Sequence, residues 1–244
     1  MVSIIIVNYR SKAYLDKCLF SISKYSFDED FEIIIVNNDQ KEDLTDLVDK
    51  YSRVKLYKNK KNIGFGSACN LGAQKAQGEN FLFLNPDTQF MDNYIKEILI
   101  KIKQYKKVII IGPRLVTDAG KTQEWSTGKE TTFTQIIKNN LWITESRYFW
   151  ESKKDIFVDW VSGAAMFIKK DIFDKIGGFD ENFFMYGEDM DLCAQARELG
   201  YDILYSPELT ILHSGGKSRK SLIKQKIQFF KSSFYYLIKR QFKK

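Results

Sequence analysis

Three short runs limit what this chain can fold into. Ile4 to Val7, Ile33 to Val36 and Val108 to Ile111 are each four residues long, β-branched and apolar without interruption. A strand with one wet face alternates apolar and polar residues. An unbroken run suits a strand buried on both faces, as in a parallel sheet covered by helices. Leu15, Leu19 and Ile22 recur at helical spacing behind Ser11, a residue suited to an N-cap. A strand is expected at 31–37, an acidic helix near 42–51 and a short strand at 54–57. A glycine-containing turn at 62–66 leads into a helix to about Gln77, followed by a strand at 81–84. Alternation of this kind predicts a Rossmann-like layer with its ligand at the carboxyl ends of the strands.

The second half is less regular. A helix is expected at 92–106, a strand at 108–112, strand again over 156–168, a helix at 188–199 and a strand at 201–205. Residues 120–155 are aromatic and irregular and suit the walls of a second-substrate site. With 44 % hydrophobic residues and only 14 Gly and 3 Pro in 244, low-complexity and disordered classes are excluded. Cys18, Cys69 and Cys193 have no CxxC spacing and read as reduced core thiols, which favours the cytoplasm. Apolar runs of four residues fall far short of the roughly 18–20 that a membrane span requires. A strand at the first residues leaves no signal peptide expected.

Several polar groups fall at the expected ligand edge. Asn85-Pro86-Asp87 closes a strand; the sequence is also an ordinary turn, but a carboxylate there suits a hard divalent cation that neutralises a diphosphate. His213, the chain's one histidine, follows the apolar Thr210 to Leu212 and precedes glycines and the cations Lys217 and Arg219. A lone histidine is often structural; this setting suits a metal ligand in a loop that closes over phosphate. Glu188, Asp189 and Asp191 crowd the start of a helix, where they complement the helix dipole. Beside Phe183, Phe184, Met185 and Tyr186, burial and mutual repulsion would raise one carboxylate's pKa, as in a general base. Asn8-Tyr9, Asn37-Asn38-Asp39 and Asn62 to Gly66 lie at successive strand ends, where amides can read a base and ribose. Neither GxGxxG with its acidic partner nor GxxxxGK[ST] occurs, so dinucleotide oxidoreductases and P-loop ATPases are poor candidates.

Taken in order, these segments resemble the family 2 glycosyltransferases of the GT-A fold, in particular their rhamnosyltransferase-like branch. The resemblance is carried by Val2 to Tyr9, Asn62 to Gly66 with Asn70, Phe83 to Thr88, Val161 to Met166, and Gly177 to Glu181 running through Tyr186 to Asp189. It implies a mixed central sheet flanked by helices, divided into a nucleotide-sugar half at about 1–112 and an acceptor half at about 113–216. By the same resemblance Asp87 and His213 hold Mg²⁺ or Mn²⁺, and Asp189, beside Glu188, is the catalytic base. Asn8, Tyr9, Asn38, Asn62, Gly64, Phe65, Asn70, Asn85, Asp87, Lys217 and Arg219 would then contact the donor. The reaction implied is an inverting transfer in bacterial surface polysaccharide synthesis, O-antigen or capsule, to a glycan or polyprenyl-diphosphate-linked acceptor. Asn85 stands where the family's first DxD aspartate is usual, and Asn37-Asn38 where Asp-Asn is common. Asn-Pro-Asp is familiar in the rhamnosyl branch and favours dTDP-rhamnose as donor; a UDP-hexose donor and a catalytically silent nucleotide-sugar-binding subunit are the alternatives. A processive synthase would need QxxRW and membrane helices, and a nucleotidyltransferase a Gly-rich, Arg-containing opening loop; the chain has none of these.

Charge is unevenly distributed. Residues 209–244 hold ten of the 38 basic residues and none of the 31 acidic ones, so the net +7 belongs to the tail. Ile227, Phe230, Phe234, Leu237, Ile238 and Phe242 step by three and four and predict a basic amphipathic helix over 217–244. Two placements are open for it: docked on the catalytic domain, or lying on an anionic membrane, which would put the protein on the inner face of the cell membrane. No nucleic-acid motif accompanies the charge.

Overall fold

A computed structural model describes residues 1–26, 28–130, 147–215 and 222–242. β1 (Val2–Asn8), α1 (Lys12–Tyr25), β2 (Phe31–Asn37), α2 (Thr45–Lys50), β3 (Val54–Lys58), α3 (Phe65–Lys75) and β4 (Asn80–Leu84) follow one another as the apolar pattern predicts. Next come β5 (Thr88–Phe90), α4 (Tyr94–Gln104), β6 (Val108–Val116), β7 (Thr127–Gly128), α5 (Arg147–Trp150), β8 (Ile156–Val158), β9 (Trp160–Val161) and β10 (Ala165–Lys169). α6 (Lys170–Ile176), α7 (Glu188–Glu198), β11 (Asp202–His213) and α8 (Leu222–Phe242) complete the chain. The main sheet runs β3-β2-β1-β4-β10-β6-β11-β5, with β8 also on β11. β1 to β4 are mutually parallel where they pair, while β10 runs antiparallel to both β4 and β6. The sheet is therefore mixed.

β1 shows why its run is continuous. Ile4 and Ile6 pack with Leu15, Leu19 and Ile22 of α1, whereas Ile5 and Val7 pack with Ala68, Cys69 and Ala73 of α3. Both faces are dry. The close approach of α3 needs Gly72, since a Cβ there would sit 2.5 Å from Ile5 Cγ2. All three cysteines are free and buried, as expected of core thiols.

Four local expectations are revised. Ser11 makes no side-chain cap; its hydroxyl donates to the Tyr9 carbonyl, and the Glu42 carboxylate instead accepts the Ser11 and Lys12 N–H groups. The single strand expected over 156–168 is three: β9 leaves the main sheet to pair with β7, and only after Ser162 to Ala164 does β10 enter between β4 and β6. α6 was not legible, being only seven residues long; Ile172 and Phe173 bury it against the Phe81 and Phe83 face. β11 runs on beyond Tyr205 through a register shift between Ser206 and Thr210, so His213 is its last residue.

The basic helix forms and docks, but not through its apolar stripe. On α8, whose side chains are described from Lys226 to Gln241, Ser232 Oγ donates to the Met185 carbonyl (2.7 Å) and Tyr235 Oη to Asp180 (3.0 Å). Tyr236 is 4 % exposed and donates to Glu130. Lys239 pairs with Asp180 at 2.6 Å and Asp191 at 2.7 Å, and Arg240 pairs with Glu130 and Glu198. Asp191 is fully buried, and without Lys239 its remaining side-chain hydrogen bond among the described residues is the one from Gln195. Lys239→Met is therefore expected to destabilise the fold by about 3 kcal/mol, read as a lower urea midpoint. Among the described residues no helix is long and apolar enough to cross a membrane.

Candidate active site

The carboxyl ends of β1, β2 and β4 gather most of the predicted residues at one edge. Tyr9, Asn38, Asp39, Lys60, Lys61 and Asn62 line an open cavity of about 180 Å³. Asn38 Nδ2 donates to the Gly64 carbonyl (3.0 Å), and Asn62 Oδ1 accepts the Gly64 N–H (2.9 Å). Gly64 has φ +93°, and a Cβ there would lie 2.7 Å from the Phe184 carbonyl oxygen, which accepts the Phe65 N–H. Glycine is required on both counts. Asp39 is held below the usual carboxylate range by the Lys41 backbone N–H and by Arg10, despite some burial. A larger open groove of about 520 Å³ lies between Asn80 and Lys169, at the opposite ends of β4 and β10, and contains none of the predicted residues.

Two predicted contacts have other work. Asn8 is fully buried; its Nδ2 donates to Asn37 and to Glu42, joining the first two strand ends. Asn70 bridges the Phe179 N–H and carbonyl and reaches Glu181, tying α3 to the segment ahead of α7. Both shape the site's walls. Lys217 and Arg219 lie outside the described residues.

Asp87 and His213 meet through long-range pairing. Thr88 N and Oγ1 both donate to the Asn85 carbonyl, so Asn85 to Thr88 is indeed a turn, and it feeds β5 onto β11 with Thr88 opposite His213. His213 Nε2 lies 3.3 Å from Asp87 Oδ1, and both side chains are largely buried. Nδ1–H donates to Gln123 Oε1 at 2.7 Å, which fixes the ring with Nε2 turned toward Asp87. Nε2 therefore faces the Asp87 carboxylate, with Asn85 Nδ2 at 3.4 Å, a pair that a proton on Nε2 or a shared cation would complete. One nitrogen and one carboxylate fit Mg²⁺ or Mn²⁺, provided that diphosphate and water complete the shell. Among the described residues no cluster of three or more His, Cys, Asp or Glu offers a self-sufficient cage. Gln123 carries no sequence signal, because only the fold brings it to His213.

Asp189 sits at the first turn of α7. Its Oδ2 accepts the Gly163 N–H at 2.9 Å and its Oδ1 the Met190 N–H at 2.8 Å. The next residue of the Gly163 loop, Ala164, accepts the Asn85 N–H through its carbonyl. Ser162 to Ala164 thus connects the Asp87 turn to Asp189. The approach to α7 is turned sharply, with Tyr186 at φ +70°, a conformation that costs on the order of 1–3 kcal/mol for a bulky residue. Burial raises the Asp189 pKa against the help of its two N–H donors. Glu188 is pushed up to about 8 by burial first and by Asp189's charge second, and its Oε2 has no hydrogen-bond partner. Because the folded pKa exceeds the unfolded one, Glu188 erodes stability as pH rises from the ordinary carboxylate range toward 8. Glu188→Gln should accordingly raise the melting temperature at pH 8 and leave it nearly unchanged at pH 4.

The comparisons decide what this edge belongs to. The model of glycosyl transferase family 2 matches residues 3–177, and that described as the N-terminal domain of galactosyltransferase matches 149–213. The chain is a family 2 glycosyltransferase. It is 28 % identical to the rhamnosyltransferase WbbL of Escherichia coli K12, covering 99 % of this chain and 94 % of that one. It is 24 % identical to the N-acetylglucosaminyl-diphospho-decaprenol L-rhamnosyltransferase of Mycobacterium tuberculosis, covering 86 % and 75 %. Among solved structures, the mannosyltransferase PcManGT of Pyrobaculum calidifontis, in complex with GDP-Man and Mn²⁺, superposes with a TM-score of 0.68 at 14 % identity, over 98 % of this chain and 63 % of that one. GalNAc-T7 with UDP, GalNAc and Mn²⁺ also gives 0.68, at 18 % identity over 87 % and 43 %. These likenesses show that the transferase has the GT-A fold.

Proposed function

We propose that this transferase moves rhamnose from dTDP-rhamnose to a polyprenyl-diphosphate-linked glycan in bacterial surface polysaccharide synthesis, with inversion at the anomeric carbon. What supports the reading is the joining of the Asp87–His213 pair, proposed to hold the cation, to Asp189 through Ser162 to Ala164. The two rhamnosyltransferase relatives support the sugar, and the mycobacterial one a lipid-linked acceptor.

Asp189 takes the proton of the acceptor hydroxyl. The acceptor's hydroxyl oxygen, so deprotonated, attacks the anomeric carbon from the face opposite the nucleotide, and the bond from that carbon to the diphosphate oxygen breaks, its electron pair leaving with dTDP. The backbone N–H groups of Gly163 and Met190 fix the carboxylate's orientation, while the amides of Asn38 and Asn62 and the strand-end cavity hold the nucleoside. Asp87 and His213 would hold Mg²⁺ or Mn²⁺, which supplies charge neutralisation to the departing diphosphate. Gln123 is the residue that keeps Nε2 of His213 turned toward Asp87 for this purpose. Gln123→Leu is expected to weaken Mn²⁺ binding in the presence of dTDP by about tenfold or more, measured by titration calorimetry.

The donor is tested by incubating the enzyme with Mn²⁺ and a panel of dTDP- and UDP-sugars and measuring released nucleotide. Preference for dTDP-rhamnose supports the reading. Preference for a UDP-hexose replaces the sugar, and tight binding without turnover toward any lipid-linked acceptor would leave a silent binding subunit.

A further inference from the structure

Among the described residues, the face that α8 turns away from the domain has no partner. Tyr236 and Ser232 mark the buried side of the helix. On the opposite side, at spacings of three, four and four, lie Ile227, Phe230, Phe234 and Ile238, and Phe230 and Phe234 are 65 % and 67 % exposed. Lys226 and Lys231 are exposed on α8 as well, and no acidic residue follows Glu208 anywhere in the chain. The domain already holds this helix by the ion pairs of Lys239 and Arg240, so the stripe is not needed for docking.

We infer that Ile227, Phe230, Phe234 and Ile238 form the surface by which this protein seats itself on an anionic lipid bilayer. Two observations favour a bilayer over a second copy of the chain. The stripe offers roughly 400 Å² of apolar surface, about half of what a stable protein interface buries on each partner. Pairing two such helices would also bring together Lys226 and Lys231 of both copies with no carboxylate on either helix to answer them. Anionic headgroups supply that missing charge, while the rings enter the acyl boundary as in interfacial helices. The same helix holds the Met185 carbonyl through Ser232 and packs Phe229 against Tyr186. Membrane contact would thereby be made by the element that buttresses the loop leading to Asp189. The inference rests on the proposed function only in giving a lipid-linked acceptor a reason to be near; the surface itself is independent of the donor.

The test is co-sedimentation of the full-length protein with vesicles of phosphatidylcholine containing phosphatidylglycerol, against vesicles of phosphatidylcholine alone. The protein is expected to partition onto the anionic vesicles. F230S/F234S should reduce that partition by about tenfold or more, while Phe20→Ser, at an equally exposed ring on α1, leaves it unchanged. Circular dichroism and dTDP affinity of F230S/F234S should match the parent, which separates a failure of the surface from a failure of the transferase reading. Equal partition of parent and F230S/F234S overturns the inference. So does a dimer in lipid-free solution that the same substitutions dissociate, combined with no vesicle binding.

Discussion

Asp189→Asn is expected to lower the rate of sugar transfer about a thousandfold, on the order of 4 kcal/mol of transition-state stabilisation, while donor binding stays within a fewfold of the parent. The asymmetry follows from where the carboxylate stands. Its two oxygens accept N–H groups from Gly163 and Met190, and neither bond lies among the strand-end amides proposed for the nucleoside. Asparagine can accept one of those N–H groups but presents its own NH₂ to the other, so part of the loop's anchorage is lost with the base. Removing a buried charge beside Glu188 works in the opposite direction, since Asp189 is one cause of that residue's raised pKa. The fold should therefore survive, and single-turnover kinetics with calorimetric dTDP affinity would separate chemistry from binding. If transfer falls less than about tenfold, another group takes the proton. Acid should act like the substitution: because burial raises Asp189 above the ordinary carboxylate range, activity is expected to fall on the acid side at a higher pH than for a solvated aspartate.

Asp87→Ala should produce the second large loss, also on the order of a thousandfold, but with a different signature. The proposed cation-binding pair is reduced to His213 beside the Asn85 amide, so Mn²⁺ affinity in the presence of dTDP should collapse together with turnover. Raising Mn²⁺ should recover part of the rate, which it cannot do for Asp189→Asn. Undiminished Mn²⁺ affinity after Asp87→Ala would remove this residue from the cation site. Changes in the two variants need not add, because Ser162 to Ala164 connects both residues through one short loop.

Much of this architecture was legible because its first half obeys local rules. Ile4 to Val7 and Ile33 to Val36 announce two-faced burial, and the helices between them carry their own periodicity. The strand-end residues Asn38, Asn62, Asp87 and Asp189 are similarly local, each closing a strand or opening a helix. What could not be read depends on partners distant in the chain. Gln123 reaches His213 across 90 positions, and nothing around Gln123 marks it. Asn8 reads as a ligand contact because an amide at a strand end suits that role, and Asn70 does so through the family resemblance; their hydrogen bonds to Asn37, Glu42 and Phe179, made with distant residues, were not legible. For the tail, periodicity identified the apolar stripe but not the acidic partners of Lys239 and Arg240, so it could not say which side of the helix the domain would hold.

The register shift in β11 has a bearing on which lesions this protein can tolerate. Between Ser206 and Thr210 the strand departs from its partner β6 and then rejoins it, and beyond that point every residue is placed by counting from the rejoining. Alternate residues of a strand face opposite ways. If the strand kept the register of Ile203 to Ser206, deleting one residue among Pro207, Glu208 and Leu209 would put Ser214 where His213 now meets Asp87. Substitutions in that stretch change only a surface or a packing contact. A change of length there is taken up by the irregularity or else exchanges the histidine for a neighbour, so the irregular segment is what separates a harmless lesion from the loss of the imidazole at the candidate cation site.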